Sequence, residues 1–175
     1  MQVVREKVMP REQIDVAQAA RDFYDPVFRF CARRVGPDLA ADAAQETFLT
    51  AHKVRSKFRG ESPLRTWLFG IAVNECRRLI RQRLISPATV PLIETAVPDG
   101  GEAVLDRKLL QDALAKLSED HREVVILHEM EGMTYEEAAT ILAVPEGTVK
   151  SRLHHAFQQL RRLMDPTGHA AGDEQ

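Results

Sequence analysis

Residues 144–160 read VPEGTVKSRLHHAFQQL. Pro145 cannot continue a helix but can precede one, so the stretch predicts a helix beginning at Glu146. At about 100° per residue from Val149, Leu153, Ala156, Leu160 and Met164 fall within about 60° of it, whereas Gly147, Ser151, His154 and Gln158 fall on the opposite side. One stripe is apolar and predicts a core contact. The other is small, polar and partly basic, and is left free.

Working outward, TYEE (134–137) is a capping box, with Thr134 as cap and Glu137 reaching back, which predicts a short helix over Tyr135 to Leu142. A three-residue break, AVP (143–145), separates the two helices. A capped helix, a tight break and an amphipathic second helix make a helix-turn-helix, whose second helix enters a DNA major groove with its N-terminal residues toward base edges. In that reading Lys150 and Arg152 suit phosphates, and Glu146, Ser151, His154 and His155 reach base edges. Thr134, Tyr135 and Thr148 complete the candidate DNA-facing set. A helical hairpin in a plain bundle has the same periodicity, so on this stretch alone both readings stand.

Helix-period apolar spacing recurs from about Gln13 onward and strand signals are nearly absent, so the fold class is all-α. The spacing predicts a helix over Glu12 to Val35, kinked at Pro26, and a second from Gly36 and Pro37 to about Val54. A third is predicted to near Arg83, with Ser62 as N-cap and Pro63 as first helical residue. ISPATVPLIETAVPDGGEA (85–103) carries three prolines and a glycine pair and reads as a flexible linker. Beyond it, helices are expected over Ala103 to Lys116, Glu119 to Glu131 behind Ser118, and the helix-turn-helix. Two small helical domains follow, 1–84 and 104–165, joined by linker 85–103, with 166–175 expected to be a disordered tail.

The formal net charge is −2, with a pI of about 6.3, which taken alone disfavours a nucleic-acid partner. The distribution reverses that inference. Lys53 to Arg83 holds nine basic residues against Glu61 and Glu75, a balance of +7, while Leu84 to Asp106 holds four acids and no base, −4. Such segregation is what a polyanion-binding protein with a neutral total shows. Cys31 and Cys76 sit singly in apolar surroundings, which predicts core positions in a cytoplasmic protein rather than a disulfide framework or thiolate metal site. No apolar run is long enough for a membrane span or signal peptide, and no metal or other cofactor is expected.

YEEAATILAVPEGTVKSRLHHA (135–156) closely resembles region 4, the promoter-binding domain of the extracytoplasmic-function (ECF) sigma factors of bacterial RNA polymerase, where a GTVKSRL core is characteristic. DAAQETFLTAH (42–52) and FRGESPLRTWLFGIAVNECRRL (58–79) are similar to that family's region 2 segments, in the same order. The resemblance spans most of the chain outside the tails and linker. It implies core RNA polymerase (β′ clamp helices and β flap) and promoter DNA as partners, and leaves room for an anti-sigma factor.

The second helix presents Asp42, Glu46, Leu49 and Lys53 on one side, with Gln45 beside them. By resemblance, Asp42, Gln45 and Glu46 give charge-assisted contacts to the clamp helices and Leu49 an apolar anchor. The third helix leaves one stripe free, with Thr66, Asn74, Arg77, Arg78 and Arg81. The similar family segment opens the downstream, minus-ten element and holds an extruded base in a pocket of the preceding loop, here Lys57, Phe58, Arg59 and Gly60. Trp67 could stack on a base, but its spacing with Leu64, Leu68 and Ile71 favours the core. Region 4 would read the upstream, minus-thirty-five element, and family members thread the linker through the channel for nascent RNA.

The sequence departs from the family pattern at two points. Ala143 stands where glycine is usual, costing about 1 kcal/mol if that residue is left-handed. His154 and His155 replace frequent arginines, so upstream binding is expected to be weaker or pH-sensitive. A sigma-like decoy that titrates an anti-sigma regulator without binding DNA would be expected to lose the basic stripe, which is intact from Asn74 to Arg81. A metal-dependent hydrolase built on His121, His128 and Glu129 lacks any HExxH-like spacing.

Overall fold

The computed structural model describes residues 14–85, 109–110 and 112–164, all in helices and tight turns. The predicted linker and tail and the starts of the predicted first and fourth helices fall outside the described residues.

Helix α1 (Val16–Val35) starts where the Asp15 carboxylate accepts from the Ala17 and Gln18 amides, at 3.0 and 3.1 Å. Pro26 lies inside it, and Gly36, at φ +88°, lets the chain reverse into Pro37 at the first turn of α2 (Pro37–Val54). A 3₁₀ turn over Arg55–Lys57 and a loop with Gly60 at φ +70° lead to α3 (Leu64–Ile85). The carbonyl that accepts the first helical bond belongs to Pro63, which receives the Trp67 amide at 3.1 Å, so the helix begins one residue later than a Ser62 cap predicts. α1, α2 and α3 pack on one another as a three-helix unit. Its alanines at 40, 43, 44 and 51 are fully buried, which brings α2 close to its neighbours, and Phe30 meets Phe69 edge-on at 5.3 Å.

Cys31 and Cys76 are fully buried, as their surroundings predict. Hydrogen bonding to the Cys76 thiol and burial push the Cys31 thiol far above its ordinary value, so it is inert as a nucleophile.

The second unit holds α4 (109–110 and 112–116), α5 (Glu119–Val125), α6 (Tyr135–Leu142) and α7 (Glu146–Met164). Ser118 caps α5 as expected, its hydroxyl accepting from the His121 amide at 3.3 Å. Arg122 is pinned to the end of α4 by donating to the carbonyls of Leu114 (2.8 Å), Ala115 (2.6 Å) and Leu117 (3.0 Å). The single helix predicted to Glu131 instead widens into a π turn over Ile126–Met130, where the Glu131 amide reaches back to the Ile126 carbonyl at 3.0 Å. The Thr134–Glu137 capping box is fully formed. Val149, Leu153, Ala156 and Leu160 are buried against α5 and α6, but Met164 is 55% exposed. α7 ends beyond its partners there, and Leu163 supplies the last apolar contact instead.

Candidate nucleic-acid interface

Ala143 joins α6 to α7 in the left-handed region, φ +54° and ψ +45°, the conformation that makes glycine usual there. The Val144 amide then bonds the Ala139 carbonyl at 3.1 Å and closes α6. This turn sets α7 so that Ser151, His154, His155 and Gln158 are exposed while the apolar stripe is covered. His154 bonds Gln158 at 3.0 Å and lies edge-on to His155 at 5.6 Å. Lys150 pairs with Glu146 at 2.6 Å, which holds its ammonium above the usual lysine range, and lies 5.2 Å over the Tyr135 ring. Tyr135 also stacks on His128, ring centroids 4.3 Å apart. Arg152 departs from the expected phosphate contact by turning back onto Asp120 in the first turn of α5. Thr134 serves as the α6 cap, while Glu146 is exposed and Thr148 half-buried at the start of α7.

On α2, Asp42 and Gln45 are exposed, Glu46 is half-buried, and Leu49 is 44% exposed with no described partner in the core. The acidic ridge with an apolar centre therefore exists as a surface. Ahead of α3, Lys57, Phe58, Arg59, Glu61, Ser62 and Trp67 line an open cavity of about 320 Å³. Phe58 and Trp67 meet there at 5.2 Å, inclined by 58°. Trp67 thus does two jobs that the spacing set against each other, backing the core on one side and walling the cavity on the other.

The α3 stripe divides. Asn74 and Arg81 are exposed, and Arg78 is half-buried between Glu75 (2.8 Å) and Gln82 (3.2 Å). Thr66, expected to face solvent, is 2% exposed and donates to Glu137 at 3.2 Å. Arg77 is held in a fork by Glu123, with Nε to Oε1 at 2.9 Å and Nη2 to Oε2 at 2.6 Å, which holds its guanidinium above its usual range. Both departures lie where α3 faces the second unit, Thr66 meeting Glu137 of α6 and Arg77 meeting Glu123 of α5.

Arg34 and Glu123 were not singled out by the sequence pattern, yet both side chains are fully buried and bonded to each other at 2.7 Å. The signal that could have found them is a charged residue on an apolar stripe: Arg34 four residues after Phe30, and Glu123 four before Leu127.

Comparison with known proteins agrees with this layout. The family described as "Sigma-70 region 2" matches residues 19–84 and "Sigma-70, region 4" matches residues 107–160. The ECF RNA polymerase sigma factor SigL of Mycobacterium tuberculosis is 38% identical over 168 residues, spanning 87% of this chain and 93% of that protein. The chain belongs to the ECF RNA polymerase sigma factors. The ECF sigma-E factor of Salmonella typhimurium is 29% identical over 180 residues, 94% of each chain. Among solved structures, this sigma factor is similar to RpoE of Bartonella quintana, in complex with the anti-sigma factor NepR, at 30% identity. The TM-score is 0.72, over 88% of this chain and 99% of the other. It is likewise similar to CnrH in complex with the cytosolic domain of CnrY, at 25% identity and TM-score 0.68, over 87% and 89%. No described helix is long and apolar enough to cross a membrane.

Proposed function

We propose that this sigma factor divides promoter recognition and polymerase binding among the three surfaces above. The α2 ridge of Asp42, Gln45, Glu46 and Leu49 docks on the β′ clamp helices of core polymerase, and region 4 lies against the β flap. The cavity of Lys57, Phe58, Arg59 and Trp67, with Gly60 shaping its loop, takes a base extruded from the minus-ten element. Asn74 reads that element, and Arg77, Arg78 and Arg81 hold its phosphates. The face of α7 with Lys150, Ser151, His154 and His155 reads the minus-thirty-five element, with Glu146 and Thr148 at its leading end.

The observation that carries this reading is the open cavity walled by two aromatic rings and flanked by Lys57 and Arg59. Unstacking a base costs a few kcal/mol, and a ring-lined, basic hollow recovers it by stacking and phosphate attraction. The protein performs no bond-making step itself and works in the cytoplasm, where the polymerase is. An anti-sigma factor is a further partner, as it is for the Bartonella relative.

Transcription reconstituted with core polymerase on a genomic fragment library tests the reading. Initiation at a defined set of sites is expected, lost in Trp67→Ala when the minus-ten region is duplex and recovered when that region is supplied already unpaired. Equal loss on both templates would remove base capture from the cavity. Arg81→Ala is expected to lower the salt slope of open-complex formation by about one unit per lost phosphate contact, whereas an Asn74 change should alter preference among minus-ten sequences.

A further inference from the structure

Between Glu146 and Leu160 of α7 the side chains of fixed positive charge are Lys150 and Arg152. Arg152 is 21% exposed and committed to Asp120 of α5, whereas the Lys150 side chain is 55% exposed, so Lys150 carries the phosphate contact expected of this face. A lysine ammonium on its flexible stem is a loose tool for a fixed contact, because ordering the stem opposes binding. Here the ammonium is held before DNA arrives. It pairs with Glu146, one turn earlier on α7, at 2.6 Å, and lies 5.2 Å over the Tyr135 ring.

That ring is itself braced. Tyr135 is the first residue of α6 and 37% exposed, and a solvent-facing ring changes rotamer freely unless a neighbour holds it. His128 stacks on it, with centroids 4.3 Å apart and planes inclined by 18°. The His128 Nδ1 lies 2.7 Å from the Met133 carbonyl, and since a carbonyl only accepts, Nδ1–H donates and sets the plane of the imidazole. Met133 is 1% exposed and its amide donates to the Leu127 carbonyl at 3.0 Å, which ties this bond to the core. We propose that His128 is a positioning residue for minus-thirty-five recognition, orienting Tyr135 and through it holding the Lys150 ammonium toward a DNA phosphate. The inference rests on the assignment of α7 to the minus-thirty-five element made above.

The links run from core to surface, Met133 to His128 to Tyr135 to Lys150, and each uses a different interaction. The stack needs a flat ring at position 128 but no particular nitrogen. The bond to Met133 needs a donor but no ring. His128 itself makes no DNA contact in this arrangement, because its side chain is 23% exposed and lies within the π turn of Ile126–Met130, ahead of the helix-turn-helix. Its effect on binding therefore passes through Lys150 or does not exist.

The test uses holoenzyme assembled from core polymerase and the full chain, bound to a fluorescein-labelled promoter fragment recovered by the genomic-fragment transcription above. His128→Ala is expected to weaken binding by about fivefold, the order for a long side chain that must be ordered on binding instead of beforehand. The loss should be absent on a fragment cut short of the upstream element, and absent again when Lys150 is already alanine, since the ammonium to be positioned is gone. His128→Phe, which keeps a flat ring against Tyr135, should recover binding to within about twofold of the parent, whereas His128→Gln, which keeps a donor without a ring, should not. Circular dichroism melting is run on every variant. Should His128→Ala melt early, the comparison of His128→Phe with His128→Gln decides alone. Recovery by His128→Gln but not by His128→Phe would overturn the inference, as would a loss that persists on the shortened fragment. If Lys150→Ala weakens binding and His128→Ala adds its full loss on top, the phosphate contact stands and the positioning role falls. If Lys150→Ala binds as the parent does, the assignment of Lys150 to DNA falls and takes the positioning role with it.

Discussion

At the scale of single residues, Ala143 shows how a local strain can be read before any coordinates exist. Glycine is usual at the turn because only φ > 0 lets the Val144 amide close α6 and send α7 onward, and Ala143 accepts φ +54° to do the same. Ala143→Gly is therefore expected to raise stability by about 1 kcal/mol, less a few tenths for the freer unfolded chain, seen as a higher melting temperature. A lower melting temperature would mean that the methyl group's contacts outweigh the strain. Other residues were not legible in this way. Thr66, Arg77 and Arg152 read as free polar positions because helical periodicity reports only neighbours on the same helix. Their partners Glu137, Glu123 and Asp120 stand 71, 46 and 32 residues away.

Among the elements, boundaries marked by local chemistry emerged from the sequence, and those set by packing did not. Gly36 closes α1 on the Ala32 carbonyl and Pro37 opens α2 with no amide to satisfy, while Ser118, and Thr134 with Glu137, satisfy backbone groups within three residues, so α2, α5 and α6 begin where the sequence predicts. The π turn at Ile126–Met130 has no such signature. It inserts a wider turn that buries Ile126 and Leu127 and carries Glu131 toward α1, and only the neighbouring unit gives that a reason. The α2 ridge was legible as a surface because Asp42, Gln45 and Glu46 make no side-chain hydrogen bond or ion pair among the described residues, leaving periodicity uncontested. Reversing Asp42 and Glu46 to lysine is expected to abolish co-purification with core polymerase while leaving the helical melt unchanged, since neither lies in the core. Leu49→Ala should weaken the same association by about tenfold, or 1.4 kcal/mol, the order expected for losing a partly buried apolar anchor. Retained pull-down by the charge-reversed pair would move the polymerase dock elsewhere.

For the whole molecule, segregation of charge along the chain was visible at once, but its consequence was not, since arginines of region 2 are met by carboxylates of region 4. One of those carboxylates makes the meeting pH-dependent. The Glu131 side chain is 5% exposed, and burial raises its carboxyl above the ordinary 4.5 even though Arg33, Arg65 and Arg29 pull the other way. When the units part, that burial is lost and the carboxyl returns toward its ordinary value, so the closed chain binds the proton more tightly than the open one. The stabilisation of closure from this group is therefore full below about pH 4.5 and is lost as pH rises through the raised value. Energy transfer between dyes at Ala41→Cys and Asp112→Cys, exposed positions on the two units, should fall over that interval as pH is raised. Glu131→Gln, which fixes a neutral side chain of the same size, should remove most of the slope and hold the chain more closed at neutral pH. A variant more open than the parent at neutral pH would show that the arginines, rather than burial, dominate at Glu131, and that this ion pair helps to hold the two units together.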